Sequence, residues 1–236
     1  MEVGEEMNEM YERTGMVIGS AAVEKLRSSH VAVFGIGGVG GHAAEALVRA
    51  GIGEITVIDR DEVSKTNINR QIIALNSTVG RLKTEVMGER LRDISPEVKV
   101  HEYPVFFMPE NSDDFDFSAF DYVCDCVDTV TAKLEIIMKC REKGVPIISS
   151  MGTGYKLYPE KLDIMDIYET KNCPLAKVMR KELKKRGVDR LTTVASYEMP
   201  VSAASERSRL PGSMSFVPSA AGLMMAGYVI RSLIGV

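Results

Sequence analysis

Apolar and polar residues alternate in blocks along the chain. Val31-Ala32-Val33-Phe34 is an unbroken apolar run, short enough for a strand covered on both faces. It enters the turn Gly35-Ile36-Gly37-Gly38-Val39-Gly40, after which Ala44, Leu47 and Val48 recur at helical spacing. A second apolar run, from Glu54 to Ile58, ends on Asp59. The pattern then repeats. Leu82, Val86, Leu91 and Ile94 predict a helix over Val79 to Ile94, Val98 to Tyr103 alternates like a strand, and Phe106 to Phe120 reads as a loop with aromatic anchors. A strand over Asp121 to Val127 ends at Asp128, a helix over Ala132 to Lys143 is stopped by Gly144, and Pro146 to Ser149 reads as a further strand.

Repeated strand–helix alternation predicts a Rossmann-like α/β fold with a mainly parallel, doubly wound sheet. The character changes after Met151. Tyr155 to Ile167 reads as two strands joined around Pro159, antiparallel additions in the C-terminal part. Pro174 to Arg186 is helical with proline in its first turn, Leu191 to Ala195 is a short strand, residues 196–213 form a loop, and Ala220 to Leu233 is a closing helix. Residues 1–30 read as helical pieces broken at Gly15 and Gly19, with Ser20 capping Ala21 to Arg27. With no repeat and no low-complexity linker, residues 1–236 are expected to form one domain. It comprises an arm over 1–30, a nucleotide-binding core over 31–150, and a substrate and dimer part over 151–236.

Composition narrows the function classes. The net charge of −4 gives no general mark of a nucleic-acid binder, and 45% hydrophobic residues supply a sizeable core. Four cysteines without a Cys-x-x-Cys pair, and three scattered histidines, offer neither a zinc cluster nor a disulfide framework; reduced thiols in a cytoplasmic protein are expected. The acidic N-terminus has no leader pattern, and the apolar run from Met214 to Val236 is interrupted by Pro218, two glycines and Arg231, so it reads as a buried helix.

The glycines point to a bound nucleotide. Gly35 permits the tight turn, and Gly37 and Gly38 keep side chains out of the way of a phosphate. Gly40 allows the helix to pack on the strand, and the helix start offers free N–H groups to an anion. Asp59 stands where a carboxylate takes a ribose hydroxyl. Which nucleotide binds depends on the polar loop that follows, with Asp61, Asn67, Asn69, Arg70 and Gln71, and on Lys83. A redox dinucleotide has no need of Arg70 and Lys83; ATP does, because two cations hold a triphosphate and stabilise departing pyrophosphate. Asp128, ending a neighbouring strand on the same sheet edge, is placed to hold Mg²⁺ against phosphate oxygens.

At these residues the sequence resembles the ubiquitin-activating-like adenylating superfamily. The matching pieces are Gly35 to Gly40, Asp59-Arg60-Asp61-Glu62-Val63, Asn67-Ile68-Asn69-Arg70-Gln71, Val79-Gly80-Arg81-Leu82-Lys83 and Asp125-Cys126-Val127-Asp128. The resemblance implies that Asp59 holds the ATP ribose, that Asn67, Arg70 and Lys83 contact phosphates, and that Asp128 organises Mg²⁺. Glu12-Arg13-Thr14 resembles the segment whose arginine reaches into the partner subunit's ATP site, which implies a homodimer. Activators of the molybdopterin type carry two Cys-x-x-Cys pairs that are absent here. Ser150 to Gly154, Cys173-Pro174-Leu175-Ala176 and Gly212 to Gly222 resemble instead the tRNA threonylcarbamoyladenosine dehydratase branch. That branch implies ATP-dependent cyclisation of a carboxylate on a tRNA base through an acyl-adenylate.

A tRNA substrate calls for local positive surface. Residues 177–190 hold seven basic residues against Glu182 and Asp189, a net charge of +5, so the remainder carries −9. Lys177, Arg180, Lys181, Lys184 and Lys185 are the candidate RNA contacts, weighed against an ordinary solvated helix face. Cys173, at the mouth of this helix, is read as a structural thiol because the reaction needs none; as a sulfur acceptor it would bring in a sulfur-transfer partner protein. Three other readings compete: adenylation of a carrier protein's C-terminal carboxylate, an ordinary oxidoreductase, and a nucleotide-sensing module. Arg70, Lys83 and Asp128 disfavour the last two.

Overall fold

The structure, a computed structural model, describes residues 9–201 and 212–236, so the first eight residues of the expected arm lie outside the described residues. Its centre is a seven-stranded sheet formed by β1 (His30–Phe34), β2 (Glu54–Ile58), β3 (Lys99–Tyr103), β4 (Tyr122–Asp125), β5 (Ile147–Ser150), β6 (Leu162–Asp166) and β7 (Thr192–Ser196). The order is β3-β2-β1-β4-β5-β7-β6, and every pair is parallel except β6 with β7. The parallel strands are apolar runs because helices cover both faces. On one face lie α3 (Gly40–Ala50), α4 (Lys83–Ile94) and α7 (Phe216–Ile234), sharing a core with Leu47, Val48, Met87, Leu91, Ala221 and Met225. On the other lie α5 (Val130–Lys143) and α6 (Pro174–Lys185), with an aromatic cluster of Phe34, Phe107, Phe117 and Phe120.

The crossovers change direction between β1 and β4. Strand ends diverge there, and a cleft opens at the carboxyl edge of the sheet. Gly40 makes the close approach needed at that edge: a Cβ on it would lie 1.8 Å from the Gly35 carbonyl oxygen. Gly222 does the same for α7, since its Cβ would lie 2.3 Å from the Val39 carbonyl. By length and composition α7 could cross a membrane, but it packs Val217, Ala221, Met225 and Val229 into the core beside α3. Gly222 and Ala226 are buried within the chain by this packing.

Several sequence expectations need correction. Gly15 does not break the arm: α1 (Glu12–Ile18) runs through it, and the break is at Gly19, whose φ is +85°. Gly19, not Ser20, is the N-cap of α2 (Ser20–Arg27), and no side chain caps that helix. The arm is also anchored on its own chain, because Tyr11 is buried and its hydroxyl pairs with Ser95 at 3.1 Å. The helix predicted from Val79 starts at Lys83, since Leu82 is extended and bridges Glu62 while Gly80 turns with φ +88°. Tyr155 to Ile167 yields one strand, β6; the first half is a turn with Tyr155 at φ +55°. In Phe106 to Phe120 the chain makes two 3₁₀ turns, Pro109–Asp114 and Phe117–Ala119. The loop predicted over 196–213 lies mostly outside the described residues.

Candidate active site

The cleft has a volume of about 450 Å³. Its wall is built from the carboxyl ends of five parallel strands: Phe34 and Gly35 after β1, Asp59 after β2, Val105 to Phe107 after β3, Cys126 to Thr129 after β4, and Ser150 to Gly154 after β5. The polar loop after β2 brings in Asp61, Asn67, Arg70 and Gln71, and the start of α4 brings in Lys83. Of the residues expected to hold the nucleotide on this chain, all but Gly40 and Asn69 line this one cleft, and Gly40 sits beneath it at the first position of α3.

The local geometry explains the residue types. Gly35 has φ +87°, and a Cβ there would meet the Cys126 carbonyl at 2.9 Å. At Gly37 a Cβ would meet only Gln71 Nε2, at 3.8 Å, so this part of the turn stays open to a ligand. Asp59 is largely buried and acts as a clamp: its carboxylate accepts the Ile36 N–H at 2.7 Å and the Asp61 N–H at 2.9 Å. Each carboxylate oxygen has a second lone pair, so a ribose hydroxyl can still donate to it. Lys83 is 5% exposed; its Nζ is 2.8 Å from Asp61 and 3.7 Å from Asp59. A buried ammonium held by two carboxylates is a preformed cation for a phosphate chain.

Asn67 spends its Oδ1 on the Ser64 N–H, shaping the loop. Arg70 donates to the Thr66 carbonyl and to Asn69 Oδ1, and Asn69 donates to the Ser213 carbonyl at 2.9 Å. That last bond ties the loop to the chain entering α7. Gln71 is buried, and its Oε1 has no hydrogen-bond partner. Such a group costs about 1–3 kcal/mol unless a ligand supplies a donor, so it favours an occupant with N–H or O–H groups. Asp128 is exposed at the end of β4 and makes no hydrogen bond or ion pair among the described residues. Its oxygens are free, hard donors of the kind Mg²⁺ takes.

Below Asp128 lies a feature that sequence reading missed. Lys133 of α5 is fully buried, 2.9 Å from Asp125, and donates to the carbonyls of Val127 and Ser150. Ser149 donates to the same carboxylate at 2.5 Å. One ammonium thus joins the ends of β4 and β5, the two strands that deliver Asp128 and the Gly152–Gly154 turn. Lys133→Met strands Asp125 as an unpaired buried charge and is expected to cost about 3–5 kcal/mol, read from denaturant unfolding. A loss below about 1 kcal/mol would show that the pair does not hold the strand ends. Phe106, whose ring lies 4.1 Å from the Arg60 guanidinium, and Pro218 of α7 were read as a loop anchor and as part of a resembling segment, not as site residues; both line the cleft through tertiary packing.

Arg13 is exposed on α1 and does not line the cleft of its own chain. The basic helix α6 starts at the cleft mouth, where Leu175 lines the wall, and runs away from it. Lys177, Lys181 and Lys184 are exposed. Lys185 is paired with Glu182 at 2.7 Å. Arg180 is half-buried and uses one guanidinium nitrogen, Nη1, to donate to the carbonyl and hydroxyl of Thr170. Cys173 caps α6 as a buried thiol accepting from the Ala176 N–H. Burial pushes the Cys124 thiol up to about 12 and moves Cys126 and Cys140 in the same direction, so these three stay protonated.

Comparison with known proteins now adds to this geometry. The profile of the ThiF family matches residues 11–236. The chain belongs to the ThiF family. Its relatives include the tRNA threonylcarbamoyladenosine dehydratase of Bacillus subtilis (strain 168), 39% identical with 97% of this chain and 96% of that protein covered. The Escherichia coli (strain K12) enzyme of the same name is 42% identical over 72% of this chain and 64% of its own. Among solved structures, the E. coli dehydratase in complex with ATP superposes with a TM-score of 0.90 at 32% identity, covering 100% of this chain and 98% of that one. Its AMP complex gives 0.88 at 34% identity, with coverage of 94% and 93%. The mixed, mostly parallel sheet of this ThiF member is that of these structures.

Proposed function

We propose that the chain is an ATP-dependent tRNA threonylcarbamoyladenosine dehydratase. The observation that carries this reading is the cleft itself, a nucleotide turn followed by Lys83, Arg70 and a free Asp128, in a chain 39% identical along almost its whole length to a protein of that name. A free carboxylate on the modified base cannot cyclise, because oxide is a poor leaving group. Attack of a carboxylate oxygen on the α-phosphorus of ATP releases pyrophosphate and leaves an acyl-adenylate. An internal nucleophile then attacks the acyl carbon, and AMP departs with the carboxylate oxygen. Lys83 and Arg70 offset charge on the phosphates, and Asp59 and Gln71 orient the nucleoside. Mg²⁺ held by Asp128 would add charge neutralisation. No step requires Cys173, so no sulfur-transfer partner is needed.

The finer parts of the proposal are a cytoplasmic homodimer, a ligase-type use of ATP, and tRNA docking along Lys177, Arg180, Lys181, Lys184 and Lys185. The residue ranges 31–150 and 151–236 serve as nucleotide and substrate parts. Pyrophosphate exchange into ATP tests the reading. Exchange is expected with tRNA carrying threonylcarbamoyladenosine and not with a small carrier protein, with calorimetric heat from Mg–ATP and none from NAD. Exchange driven by the carrier alone would transfer the chemistry to protein activation; NAD binding without ATP binding would remove adenylation altogether.

A further inference from the structure

At the edge of the sheet opposite the cleft, β1, β2 and β3 begin side by side. Their register places His30 beside Glu54 and Glu54 beside Lys99. Two residues further along β3, His101 returns to the same face. Three metal-ligating side chains meet there: His101 Nε2 is 2.8 Å from Glu54 Oε1, and His30 Nδ1 is 3.7 Å from that oxygen. One ligand atom from each lies within 4.8 Å of the other two. Two of the three histidines scattered in sequence thus become a pair, with a carboxylate between them.

The surroundings hold this set in place. His30 Nε2 pairs with Thr56 Oγ1 at 2.8 Å, which turns Nδ1 toward Glu54. The Phe120 ring packs against His30 with centroids 5.0 Å apart, and the Ala119 carbonyl faces the same imidazole. Lys99 Nζ lies 3.7 Å from Glu54 Oε2, leaving Oε1 to the two histidines. Asp121 accepts the His30 backbone N–H and adds a second negative charge nearby.

We propose that His30, Glu54 and His101 bind a divalent transition metal of the zinc class, with the fourth position left to water. Two imidazoles and one carboxylate select such ions over Mg²⁺ and Ca²⁺, which prefer all-oxygen sets. Tetrahedral zinc with bonds near 2.0–2.1 Å spaces its donors about 3.3 Å apart. The His30–Glu54 separation is already close to this. The His101–Glu54 pair opens slightly as the metal replaces the proton between them, which goes to solvent. The ion would staple three parallel strands at their origins, far from the nucleotide.

Metal-free full-length protein titrated with Zn²⁺ against a competing chelator tests this. One ion per chain is expected, with Co²⁺ giving a tetrahedral spectrum free of thiolate charge-transfer bands. His101→Ala and Glu54→Gln should each weaken binding at least about ten-fold. His101 is 44% exposed on an edge strand and Gln keeps the shape of Glu54, so both changes leave the fold in place, as circular dichroism will show. Unchanged affinity in both variants, thiolate bands in the Co²⁺ spectrum, or no binding at micromolar Zn²⁺ would overturn the proposal.

Discussion

Asp128→Ala is expected to lower kcat for tRNA dehydration by about 10²–10³-fold and to leave the fold intact. The two halves of this prediction come from different observations. Asp128 is exposed and bonded to nothing among the described residues, so its removal breaks no contact. It stands just before α5, and losing a negative charge at a helix N-terminus costs only about 0.3–1 kcal/mol. The activity half follows from position. Asp128 shares the cleft with Lys83 and Arg70, and its free oxygens are the ones proposed to hold Mg²⁺ against the phosphates. Single-turnover rates and thermal unfolding, measured on the same preparation, separate the two. Near-normal turnover would remove Asp128 from the mechanism, whereas an unfolded variant would mean that its carboxylate holds structure.

Mixing Arg13→Ala with Asp128→Ala protein is expected to restore up to about a quarter of wild-type activity from two inactive parents. The proposal behind it is a homodimer with shared sites. Arg13 lies on α1, exposed and outside its own chain's cleft, while Tyr11 and Ser95 pin that arm to the body. A pinned arm presents Arg13 in a defined place, which an arginine acting on a partner's phosphates requires. Met16 and Val17 beside it are 74% and 84% exposed, an apolar surface that a second subunit would cover. In a heterodimer one site combines Arg13 from one chain with Asp128 from the other, and the second site lacks both. Random mixing makes about half the dimers heterodimers, each with one working site of two. No recovery, despite subunit exchange shown by mass spectrometry, would mean that Arg13 does not act in trans.

The aromatic and charged groups around the cleft show where sequence reasoning stops. Gly35 and Gly40 were legible because their constraint is local: a turn and a helix start within six residues set their steric needs. Asp59, Arg70 and Lys83 were legible as a set because strand ends in a parallel sheet converge on one edge whatever the details. Their partners were not. That Asp59 also clamps the Ile36 amide, or that Arg180 reaches Thr170, depends on side-chain directions that no periodicity encodes. Lys133 looked like one more basic residue on a helix until the fold buried it under two strand ends beside Asp125.

The sequence by itself determined the alternation of strands and helices, the nucleotide turn, the acids ending β2 and β4, and the basic character of α6. Each depends on residues close together in the chain, where spacing and backbone sterics suffice. Only the tertiary structure decided that Phe106, Ser150 to Gly154 and Pro218 line the cleft, and that α7 sets Gly222 against α3. It also decided that His30, Glu54 and His101 stand together. Those groupings join residues more than 180 positions apart, across strand register and helix packing. That register depends on the whole sheet, so no segment of the sequence carries it alone.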